Sequence, residues 1–104
     1  MEAGSTVPLA CVPGAIPAEE REAHFALAAE LFGTVGERRE EPEGYAFRFA
    51  PEQLERIARF VANERRCCPF LEFTLTAGPG DGPLWLQLTG PQGTREFLDA
   101  ELRI

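Results

Sequence analysis

The sequence predicts an α+β fold: a two-layer sandwich on a split β-α-β-β-α core, with helices covering one face of a small, mostly antiparallel sheet. Three observations lead there. Apolar residues recur at helical spacing in some segments and strictly alternate in others. Proline and glycine punctuate the boundaries between those segments. The resulting order is helix, strand, helix, strand, strand, helix, in which a crossover followed by a hairpin gives a split β-α-β arrangement.

Residues 1–15 are rich in Gly, Pro and small side chains and read as an extended N-terminal segment. Val7 to Val12 reads as a short edge strand, limited by Pro8 and Pro13. Pro17 suits the first position of a helix, and Glu19, Glu20 and Glu22 suit its positive end. That helix runs to Phe32, with Gly33 as its C-terminal cap and His24, Leu27, Ala28 and Leu31 as its apolar stripe. Residues 36–44 are charged, contain Pro42 and Gly44, and read as a loop.

Tyr45 to Phe49 alternates as a strand. Pro51 opens a second helix with Leu54, Ile57, Ala58 and Val61 as its buried face. Pro69 cannot continue it and pushes Cys68 out of helical geometry, so the helix ends near Arg66 or Cys67. Leu71, Phe73, Leu75 and Ala77 mark one buried face of a strand. After a Gly/Pro/Asp turn, Leu84, Leu86 and Leu88 mark its hairpin partner. Gly90-Pro91-Gln92-Gly93 starts a last helix carrying Phe97, Leu98 and Leu102 inward; it lacks the Lys and Ser/Thr of a phosphate loop.

The chain of 104 residues has room for one domain, 1–104, and one core, in which eight Phe supply most of the bulk. Ten basic against 17 acidic residues give a net charge of −7, a field that repels nucleic-acid phosphates and anionic lipid surfaces. No basic region followed by a long apolar run opens the chain, and no stretch approaches the ~18 apolar residues that span a bilayer. The expected location is the cytoplasm, where three cysteines read as reduced thiols rather than a disulfide framework.

The distinctive chemistry is the adjacent pair Cys67-Cys68. A disulfide between neighbours is strained, so the pair reads as one accessible and one buried thiol at a helix end. Arg65 and Arg66 favour the thiolate; Glu64 and the negative end of the helix oppose it. Cys11 lies in a segment able to run beside the sheet, and convergence of Cys11, Cys67 and Cys68 would form a soft trigonal site. Thiolate sulfur takes Zn(II), Cu(I), Hg(II) and As(III). Adding His24 would complete a three-Cys, one-His set, although adjacent cysteines are a poor chelating spacing for structural zinc. The plain alternative is that buried cysteines act as small apolar fillers and His24 as a hydrogen-bonded core residue.

The run Glu64-Arg65-Arg66-Cys67-Cys68-Pro69-Phe70, with Leu88-Thr89-Gly90-Pro91-Gln92-Gly93 and the upstream Cys11, resembles a family of short bacterial proteins with an E-x-x-C-C-P-F core and an L-T-G-P-x-G segment. The likeness spans roughly residues 45–102, more loosely from Cys11, and carries no assigned activity. Some such proteins look as if they accompany metal-resistance genes. The resemblance therefore implies thiol–metal chemistry and marks Cys11, Glu64, Cys67 and Cys68 as motif positions.

Three functions follow as expectations. The first is a small cytoplasmic thiol protein that binds a soft metal or metalloid through Cys67 and Cys68 with Cys11, the site tuned by Glu64, His24 and Arg66. The alternative is an interaction or oligomerisation domain with structural cysteines, pairing as a homodimer through the open sheet face around Trp85. A thiol-based redox enzyme stands third, with Cys67 attacking and Cys68 or Cys11 resolving; it would require a lowered thiol pKa.

Overall fold

The computed structural model describes residues 9, 10 and 12–102. After a 3₁₀ turn at Pro13–Ala15, helix α1 spans Ala18–Phe32 and strands β1 and β2 span Glu37–Glu41 and Gly44–Phe49. A second 3₁₀ turn at Pro51–Gln53 leads into α2, Leu54–Cys67. Strands β3 and β4, Glu72–Ala77 and Leu84–Thr89, precede α3, Thr94–Leu102. No described helix is long and apolar enough to cross a membrane. Of the expected edge strand at Val7 to Val12, Val7, Pro8 and Cys11 lie outside the described residues and Leu9, Ala10 and Val12 are not in a strand; the Leu102 side chain also lies outside them.

The sheet has the order β1-β2-β4-β3, and each neighbouring pair is antiparallel. Strands β2 and β3 therefore run parallel with β4 inserted between them, and α2 makes the crossover: this is the split β-α-β unit the alternation implied. Register explains the core. Tyr45, Phe47 and Phe49 lie opposite Leu88, Leu86 and Leu84, and all six are buried on the helix-covered face. Phe32 packs edge-on against Phe47, Phe49 and Phe60, which locks α1 and α2 onto the sheet.

The segment expected as a loop, 36–44, contains β1. Its sequence ERREE lacks the apolar alternation by which a strand is recognised, because it is an edge held by backbone pairing to β2. Its arginines are not idle: Arg38 lies 5.0 Å from the Tyr45 ring centre and Arg39 lies 4.3 Å from that of Trp85. The hairpin turns through Glu43, at φ 54. Glu43 is held in this left-handed conformation from α3's side, its carboxylate accepting the Gly93 N–H at 2.9 Å and its carbonyl the Gly90 N–H at 3.2 Å. Gly44 follows because a Cβ there would sit 2.0 Å from the Leu88 carbonyl oxygen.

The buried stripe of α2 also differs from expectation. Ile57, Phe60, Glu64 and Cys67 face inward, Val61 is half-buried, and Leu54 and Ala58 are exposed. The helical period was legible; its phase was set by Phe60, which fills the space between α1 and the sheet. That rotation turns Glu64 and Cys67 toward α1. On β3, Leu71 just before the strand is buried, but Leu75 is 40% exposed and Ala77 is exposed, because β3 ends the sheet beyond the helical cover.

Helix α3 is tied to β2 by the Tyr45 hydroxyl, which donates to Asp99 at 2.5 Å. That hydrogen bond, then burial, then the Asp99 charge raise the Tyr45 pKa above its ordinary 10.0. A folded-state value above the unfolded one gives a contribution present below about pH 10 and lost as pH rises through the folded value. Alkaline unfolding should therefore be steeper for the native chain than for Tyr45→Phe; equal slopes above pH ~10 would remove Tyr45 as the cause.

Candidate metal centre

The site forms where α1 crosses the C-terminal turns of α2. Glu64, Cys67 and Cys68 come from consecutive turns of one helix face, and His24 comes from the facing stripe of α1. All four are buried: His24 at 2%, Glu64 at 8%, Cys67 at 6% and Cys68 at 0% exposure. The expected split into one accessible and one buried thiol is thus corrected. Cys67 points inward with Phe60 and Glu64, and Cys68, bent out of the helix before Pro69 at φ −123 and ψ 75, tucks under the same turn.

Glu64 is the hub. Its Oε1 lies 2.8 Å from His24 Nε2 and 3.8 Å from Cys67 Sγ, and its Oε2 accepts from Cys68 Sγ at 3.3 Å. The two sulfurs are 4.0 Å apart. The Glu64 carbonyl takes the Cys68 N–H at 2.8 Å and the Cys67 thiol at 3.6 Å, which fixes the backbone break at the helix end. Phe60 stacks on the imidazole at 5.8 Å between ring centres, and Nδ1 of His24 is buried with no hydrogen-bond partner among the described residues.

One ligand atom each from His24, Glu64 and Cys67 lies within 4.8 Å of the others. Zinc bonds of about 2.3 Å to sulfur and about 2.1 Å to nitrogen or oxygen put tetrahedral S···S, S···O and N···O edges near 3.8, 3.6 and 3.4 Å. The sulfurs are 4.0 Å apart and Cys67 Sγ lies 3.8 Å from Glu64 Oε1, both within about 0.2 Å of those edges, while Cys68 Sγ meets the other oxygen, Oε2, at 3.3 Å. The His24–Glu64 contact, at 2.8 Å a hydrogen bond, would have to open by about 0.6 Å. The arrangement is therefore compatible with a metal-binding cysteine protein.

The remaining expected residues sit as follows. Cys11 lies outside the described residues. Arg66 is exposed and donates to the Ala15 carbonyl at 3.0 Å, pinning the N-terminal 3₁₀ turn to α2. The Val12 N–H donates to the Cys67 carbonyl at 2.5 Å, so the chain just after Cys11 is anchored at the thiol turn. Glu64, expected from sequence to tune the thiol site, is buried against His24. The available signal was its position: an acidic residue seven after Ile57 and four after Phe60 falls on the apolar stripe.

Compared with known proteins, the chain matches no family model, no curated protein and no solved structure.

Proposed function

We propose that this is a small thiol protein that binds one thiophilic metal ion between α1 and α2, through Cys67, Glu64 and His24 with Cys68 as the second sulfur. The observation that carries the reading is the convergence of an imidazole, a carboxylate and a thiol, ligand atoms within 4.8 Å, in a place where a core would otherwise be apolar. Adjacent cysteines chelate poorly, but the chelating pairs are Glu64 with Cys67 and Glu64 with Cys68, one helical turn apart. The mixed sulfur, nitrogen and oxygen set favours a borderline divalent ion such as Zn(II) over the purely soft Hg(II) or As(III). Cys11, joined by a peptide bond to Val12, is a further sulfur within the same proposal, and the likeness to the E-x-x-C-C-P-F family agrees with it.

Binding would replace the thiol protons that now hold Cys67 and Cys68 to Glu64, so affinity should rise with pH and protons should be released. The near-complete burial of both sulfurs supports a binding role over attack on an external electrophile. Titration of the reduced protein with Co(II), read by sulfur-to-metal charge-transfer absorption, and competition with Zn(II), Hg(II), As(III) and Cu(I), test it. One ion per chain, weakened in Cys67→Ser, is expected, with Cys68→Ser and Cys11→Ser ranking the other sulfurs. Absence of stoichiometric binding, or binding unchanged in both Cys67→Ser and Cys68→Ser, would leave the interaction-domain reading in its place.

A further inference from the structure

We infer that the outer edge of β3 is a self-association surface, on which a second copy of this chain pairs strand to strand to continue the sheet. The two edges of the sheet are built differently. The outer edge at β1 is Glu37-Arg38-Arg39-Glu40-Glu41, five consecutive charges of the kind that discourage edge pairing. The outer edge at β3 is Phe73-Thr74-Leu75-Thr76-Ala77, with no charge, proline or bulge. Among the described residues no strand pairs with it, and Thr74, Leu75, Thr76 and Ala77 are all exposed.

A second copy is the occupant that the charges allow and the sequence fits. Two chains of net charge −7 repel overall, and positions 73–77 add no like-charge contact within the strip itself. An antiparallel pair centred on Leu75 sets Leu75 against Leu75, Phe73 against Ala77 and Thr74 against Thr76. Apolar residues then meet on the helix side and threonines on the other, and Glu72 falls opposite Gly78, not opposite another acid. The same centre works whether Leu75 or its neighbours carry the outward-facing N–H and C=O groups, because both phases of an antiparallel ladder are symmetric about a residue. The half-exposed Phe73 and the exposed Leu75 gain cover, and the four-stranded sheet becomes eight-stranded.

The open face, by contrast, is occupied by its own side chains. Arg39 covers the Trp85 ring, Glu37 bridges to Arg39 at 2.9 Å and to Arg48 at 3.5 Å, and a depression of about 190 Å³ lies between Arg39, Thr74, Trp85 and Gln87. Neither surface includes the thiol site, so this inference stands apart from the metal proposal. A contact of five residues a side is small, and association is expected in the range of about 100 μM.

Sedimentation velocity of the full chain, metal-free and reduced, from about 10 μM to about 1 mM tests it. The native chain should shift from monomer to dimer, Leu75→Lys should remain monomeric, and Trp85→Ser should behave like the native chain. Leu75 is exposed, so an unchanged thermal midpoint separates lost pairing from lost folding. A native chain that stays monomeric to the highest concentration overturns the inference. So does a dimer that survives Leu75→Lys, or one that only Trp85→Ser abolishes, which would place the contact on the open face.

Discussion

Replacing Phe60 with alanine should destabilise the protein by about 3–5 kcal/mol, the range for emptying a buried aromatic site. Phe60 is fully buried, meets Phe32 edge-on at 5.2 Å and stacks on His24 at 5.8 Å. It projects from α2 onto two residues of α1 and shares the buried face of α2 with Glu64 and Cys67. Loss of its ring therefore removes apolar burial and also the platform under the imidazole. Urea unfolding of Phe60→Ala should show a midpoint lowered by roughly 2–4 M at an unchanged slope. A cost below ~1 kcal/mol would mean that the α1–α2 contact collapses to refill the space and that Phe60 does not position the site.

The second large effect concerns Glu64. Glu64→Leu should cost about 1–3 kcal/mol, because it leaves His24 Nε2 buried without its Glu64 partner and removes the carboxylate that both thiols meet. Adding His24→Leu should recover most of that loss, since a wholly apolar contact between helices needs no compensation for desolvated polar groups. The double variant should fold as stably as the native chain to within ~1 kcal/mol and bind no metal. That combination separates function from structure: a polar cluster whose complete removal leaves stability intact is present for what it binds. If the double variant stays as destabilised as Glu64→Leu alone, the polar cluster is needed for the fold and this separation fails.

Sequence and structure part company at particular residues, each for a physical reason. The α+β class, the hairpin of β3 with β4 and the end of α2 at Cys67 were all legible, because alternation, glycine-rich turns and Pro69 are local signals. Strand β1 was not, since a charged edge strand is defined by its partner's backbone and not by its own side chains. The burial of Leu54, Ala58 and Leu75 was misjudged for a related reason: periodicity gives a stripe, while the neighbouring helix and the end of the sheet decide which part of it is covered. At the site, Cys67, Cys68, Glu64 and His24 could each be singled out. Their meeting could not, because His24 and Glu64 are 40 residues apart and join only through the packing of α1 on α2.

The contact between α1 and α2 has an apolar half and a polar half. Its apolar half is Phe32, Phe60 and Leu31; its polar half is His24, Glu64 and Cys67. X-ray absorption at the metal edge of the zinc-loaded protein addresses that polar half most directly. A single shell mixing sulfur at about 2.3 Å with nitrogen and oxygen at about 2.0–2.1 Å, losing sulfur in Cys67→Ser and nitrogen in His24→Leu, is the expected result. A shell of nitrogen and oxygen alone, or a spectrum indifferent to both substitutions, would contradict a metal centre at this contact.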